Sequence, residues 1–216
     1  MMNRDEIWDE FQWEEFMKEQ DKKVDRYMEL LYRYQNHPNR DELIAREMGW
    51  TWLLDQSEHL KDCTAPADDE SREGEEWKAS SGVEGFFDED FEHQPVYMKS
   101  NEFALRAHQF VEGLSESTRE DSAVVDFVAN AMIASAKIAG GTGIGEGMDE
   151  LGANIAYCKR GLAASNLAIA ALHEMKEKRI VGDGAYLDLI REATEVRNAI
   201  ALHVLDLREK FHLGIP

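Results

Sequence analysis

Proline is scarce, four in 216 residues, and no run alternates β-branched with polar residues as a strand would. Little is left to interrupt helices, and the abundance of Ala, Glu, Leu and Met marks a predominantly helical chain. Cysteine is almost absent. Cys63 and Cys158 stand alone with no CxxC spacing, which excludes a disulfide framework and a zinc knuckle. Basic residues are outnumbered, 24 Lys and Arg against 44 Asp and Glu, for a net charge of −20. The imbalance is uneven: residues 1–100 carry 27 acids against 12 bases, and residues 101–216 carry 17 against 12. Such a field repels phosphate backbones and anionic lipid, so neither nucleic acid nor membrane is expected as a partner. It suits solubility, cations or a basic protein. No apolar run approaches the ~18 residues needed to cross a bilayer. The opening MMNRDEIWDEF lacks the basic-then-apolar pattern of a signal peptide, and a cytoplasmic protein is expected.

What is present is organised around Gly140-Gly141-Thr142-Gly143-Ile144-Gly145-Glu146-Gly147, which holds five of the fifteen glycines. Helical patterns lie on both sides, and the cluster reads as a hairpin between antiparallel helices, because glycine reaches positive φ at low cost. The helix before it covers about 120–139, with Val124, Phe127, Val128, Ala131 and Ile138 on one face. The helix after it covers about 148–178, and Gly182-Asp183-Gly184 then turns the chain. The last helix carries Leu189, Ala193, Val196, Ile200, His203, Leu207 and Phe211 at helical spacing. With a helix from Asn101, capped by Ser100, these make an all-α fold whose C-terminal half is an up-down-up-down four-helix bundle.

The N-terminal half reads as a long helical extension. Asn3 and Glu6 have capping-box spacing for a helix to about Tyr34, and Asn39 with Glu42 caps a second ending at Gly49. The first helix carries Trp8, Phe11, Trp13 and Phe16 on more than one face, which reads as core or as an interaction surface for a protein partner or second copy. A homodimer is the simplest assembly. A helix–turn–helix DNA reader could be drawn near Arg40–Trp52, but its reading face is acidic. From Lys61 to Gln94 twelve acids face three bases and the pattern dissolves, suggesting a linker. It lacks the Asp-x-Asp-x-Asp-Gly order of a calcium loop. The resulting division is a helical segment at 1–60, an acidic linker at 61–99 and the bundle at 100–216.

Three histidines have an acid one turn on: His108 with Glu112, His173 with Glu177, and His203 with Asp206. At ~1.5 Å per residue, His173 stands about 23 Å farther from the hairpin than His203, so they cannot share a metal. The Glu-x-x-His pairs of di-iron bundles are missing too. No metal and no cofactor is expected. The same arithmetic places His203 and Asp206 level with Asn154, Cys158 and Asn130, with Tyr157 at the edge. This predicts a polar layer near the hairpin, either fixing helix register or lining a ligand pocket. Catalysis by Cys158 with His203 needs an activated thiolate that nothing in the sequence signals. The glycine run follows a helix rather than a strand and has no Gly-Lys-Ser/Thr, so it is no nucleotide loop. Function therefore divides between an interaction or scaffold module and a small-molecule or metal-binding bundle, an enzyme only in the second case.

Overall fold

A computed structural model describes residues 7–52 and 93–214. These are helical throughout their regular structure, with no strand among them. The described helices are α1 (Glu10–Tyr34), α2 (Arg40–Met48), α3 (Pro95–Glu112), α4 (Glu116–Arg119), α5 (Ser122–Ile144), α6 (Leu151–Glu177) and α7 (Asp183–Leu213). The chain divides into two compact units, one of Met1–Glu14 with Glu84–Pro216 and one of Glu15–Val83, so the boundary falls inside α1. The expected acidic linker at 61–99 lies outside the described residues up to 92; its last residues, 95–99, are corrected to the first turns of α3, and the Asn3–Glu6 cap lies outside the described residues.

In the smaller unit Leu30 of α1 and Ile44 and Ala45 of α2 are buried. Arg26 and the Tyr34 hydroxyl both reach the Glu47 carboxylate, at 2.8 and 2.5 Å. Gly49 ends α2 with φ +74°, as its position predicts.

In the larger unit α5 packs on α3 and α6, α6 on α7, and α7 back on α3. The core is the set of apolar stripes at 3.6-residue spacing: Phe103 and Ala107 on α3, Val124, Phe127 and Ile138 on α5, Leu151, Ile155 and Leu172 on α6, Leu189, Val196, Ile200 and Leu207 on α7. The starts differ from those expected. Pro95 opens α3, where a missing N–H costs nothing, and Ser100 is buried inside it with its hydroxyl donating to the Tyr97 carbonyl. Asp9 caps α1 reciprocally: its carboxylate accepts from the Gln12 N–H at 2.9 Å, while Gln12 Oε1 accepts from the Asp9 N–H at 3.0 Å. Asp121 caps α5, accepting from the Ala123 N–H.

The expectation that the whole glycine run is a hairpin is corrected. α5 continues through Gly140, Gly141 and Gly143 to Ile144, and the reversal is made by residues 145–150. Gly141 is a packing residue: a Cβ there would stand 2.9 Å from both Asn154 Oδ1 and Cys158 Sγ. Within the run only Gly145, with φ +112°, takes the backbone where other residues rarely go.

The expectation that no stretch is apolar enough to span a membrane also fails, by length and composition, at α5. Its alanines, valines and isoleucines dilute two charges, Asp126 and Lys137, over 23 residues. Only 39% of its most apolar 18-residue stretch is buried.

Candidate functional site

The tight approach of α5 and α6 creates the polar layer. Asn154 is fully enclosed on the first turns of α6. Its Nδ2 donates to the Gly145 carbonyl at 2.9 Å, and its Oδ1 accepts from Cys158 Sγ at 3.3 Å. One side chain thus ties the backbone of the turn to the next turn of α6. The Gly147 N–H donates to the Glu150 carboxylate at 3.0 Å, so the chain's own acid occupies the N–H that an anion would seek. Glu146 pairs with Lys210 of α7 at 2.5 Å, and Lys210 also reaches Asp206 at 3.5 Å.

Cys158 is buried, and that burial, reinforced by the negative Glu146, pushes its thiol up to about 12. A thiol so placed is protonated at neutral pH and is a poor nucleophile. His203 is half-buried on α7. Burial holds its imidazole below the ordinary histidine value, opposed by Glu146 and Asp206 and assisted by Lys210. Its Nε2 is enclosed with no hydrogen-bonding partner among the described residues.

The structure therefore gathers Asn154, Cys158 and, through the field of Glu146, His203. Asn130 turns away, its amide donating to the Asp126 carbonyl of its own helix at 2.8 Å. Tyr157 lies at the edge, its ring against Gly140 and 5.2 Å from the Lys137 ammonium. Asp206 is exposed. Sequence reasoning passed over Glu146 as part of the layer and Lys210 altogether, although the height arithmetic that placed His203 would have found both.

The aromatic residues of the N-terminus fall differently. Trp8 and Trp13 meet edge to face at 5.3 Å, and the Trp8 carbonyl and Trp13 ring lie over Gly152, where a Cβ would collide with them. Phe11 is exposed with the Lys159 ammonium 4.7 Å from its ring centre, and Phe16 is half-buried. A second set of charges secures this turn. Glu10 accepts from Arg208 Nε and Nη2, both at 3.0 Å, and meets Lys159 at 3.1 Å, while Glu14 accepts from Arg160 at 3.1 Å. The paired fork geometry is the strong form of this contact.

No group of three His, Cys, Asp or Glu side chains is arranged to hold a metal ion among the described residues. His173 bonds Tyr186, at 2.8 Å, rather than Glu177. A surface groove of about 250 Å³ between α3 and α7 has four of its five lining charges paired, Lys99 with Glu195 and Arg106 with Glu192. Comparison with protein-family models, curated proteins and solved structures finds no match.

Proposed function

We propose that this chain is an acidic helical interaction or scaffold module that acts by self-association or by binding another protein. In this reading α3, α5, α6 and α7 form an up-down-up-down four-helix bundle, with the N-terminal helical segment as its extension. The antiparallel neighbours support the bundle: Gly141 lies against Asn154 and Cys158 while Gly161 lies against Ala134 and Ile138. The strongly negative charge supports a cytoplasmic location without nucleic-acid or membrane partners.

The observation that carries this reading is how the hairpin layer is used. Asn154 bonds the turn and Cys158, Glu146 bonds Lys210, and the only cysteine described is protonated far above neutral pH. These groups hold the α5–α6 reversal in register, and none is poised for proton transfer or nucleophilic attack.

A second reading, a small-molecule or metal-binding bundle, is favoured by one group, the enclosed and unpartnered Nε2 of His203. Native mass spectrometry with elemental analysis of the purified chain separates the two. Bare protein masses in even multiples support the module, while a stoichiometric metal or small molecule lost in His203→Leu supports the pocket.

A further inference from the structure

α5 alone among the described helices is apolar enough to cross a membrane, yet less than half of that stretch is buried. Its inner face, with Val124, Phe127, Ala131, Ala134 and Ile138, holds most of the buried part. Its outer face leaves Val125, Ile133 and Met132 exposed at 48, 44 and 41%. Ten consecutive residues, 127–136, carry no charge. A surface helix of a protein with 31% charged residues has no reason of solubility to be so bare.

The two charges that bound this face have a definite geometry. At ~100° per residue, Val125, Ala129, Met132 and Ala136 share one stripe, and Asp126, Ile133 and Lys137 line one edge of it. Asp126 and Lys137 stand equally far, about 8 Å, on either side of the midpoint between Ala131 and Met132. Neither has an ion-pair partner in the chain among the described residues; Lys137 instead lies over the Tyr157 ring. A two-fold axis through that midpoint lays a second α5 antiparallel on the first, edge against the same edge reversed. Asp126 of each copy then meets Lys137 of the other, and Met132 of one copy falls within ~1.5 Å of the height of Met132 of the other. Such self-complementarity is what an isologous interface requires.

We infer that the outer face of α5 is where two copies of this chain meet, antiparallel, with two reciprocal Asp126–Lys137 pairs flanking an apolar centre at Met132. This rests on the self-association reading above and gives it a surface. It also moves that surface away from Trp8 and Trp13, which the chain already uses against Gly152. A lipid occupant fits less well, because Asp126 and Lys137 would enter the hydrocarbon and the net charge of −20 opposes anionic headgroups.

The test is sedimentation velocity of the full chain across a concentration series, for wild type, Met132→Glu, Asp126→Lys, Lys137→Glu and the double reversal Asp126→Lys/Lys137→Glu. Circular dichroism verifies that each variant keeps its helix content. Wild type is expected to be dimeric, and Met132→Glu to raise the dissociation constant well over tenfold. Each single reversal should raise it about tenfold, and the double reversal should recover most of the loss, which a general surface effect would not do. A wild-type dimer indifferent to all four changes overturns this interface and leaves self-association standing. A wild-type monomer throughout overturns both. Flotation of monomeric wild type, but not Met132→Glu, with phosphatidylcholine vesicles would assign the face to lipid and overturn the inference.

Discussion

Gly141 and Gly143 sit two residues apart in the same helix, and the same substitution should have opposite effects at them. At Gly143 an added methyl has nothing within 4 Å. Alanine there removes the entropic penalty of glycine in a helix, worth up to about 1 kcal/mol and less so close to the C-terminal end. At Gly141 the same gain is opposed by a methyl 2.9 Å from Asn154 Oδ1 and Cys158 Sγ, and 3.1 Å from the Asn154 backbone oxygen. The backbone oxygen cannot swing aside, so α5 and α6 must separate, and overpacking of this kind costs about 1–3 kcal/mol. Separation also stretches the Asn154–Gly145 and Cys158–Asn154 hydrogen bonds, each worth about 1 kcal/mol. The net expectation is a loss of about 1–3 kcal/mol for Gly141→Ala and a gain of about 0.5 kcal/mol for Gly143→Ala. For a chain of this size 1 kcal/mol moves the melting temperature by about 2–4 °C. Thermal and urea unfolding followed at 222 nm read both. Equal shifts of the same sign, or a stabilised Gly141→Ala, would refute the idea that the glycine run serves helix contact.

Lowered histidine pKa values give stability that is full above the unfolded value, about 6.5, and falls as pH drops through it. Wild-type unfolding free energy should therefore decline as pH falls below about 6.5, and His203→Leu should flatten that slope with the fold intact; an unchanged slope would show that Glu146 and Asp206 balance the burial. In a Cys63→Ser background, Cys158 should resist a disulfide reagent at pH 7.5 until the protein is unfolded, whereas rapid labelling of the native state would contradict its burial. Glu10, whose side chain is only 11% exposed, should on change to Ala cost about 1–2 kcal/mol, since Arg208 and Lys159 lose their carboxylate while still partly hydrated. The expected signature is faster amide exchange confined to the first turn of α1 and a red-shifted tryptophan emission, and protection equal to wild type would mean the turn is held by Trp8 and Trp13 alone.

The helices and their buried faces could be read from the chain, because a 3.6-residue rhythm of apolar residues has a single economical use. Leu189, Ala193, Val196, Ile200 and Leu207 were placed inward by spacing and are buried. Helix rise, a property of the backbone alone, set the expected level of His203 beside Asn154 and Cys158, and the structure links them through Glu146, whose charge acts on both Cys158 and His203. The same rhythm placed His203 fully in the stripe, but Val204 takes the core position and the imidazole stands at its edge. Spacing resolves a helix face to about one residue and no better. The glycine run shows the deeper limit. Whether a glycine ends a helix or lets another helix approach depends on what stands opposite it, and for Gly141 that is Asn154 and Cys158, residues on another helix. The grip of Glu10 on Arg208 spans 198 positions, and nothing local to either residue announces it. Local sequence determined which segments coil and which side of each is apolar. Only tertiary packing decided which polar groups found partners, which glycines were contacts, and which apolar face of α5 was left uncovered.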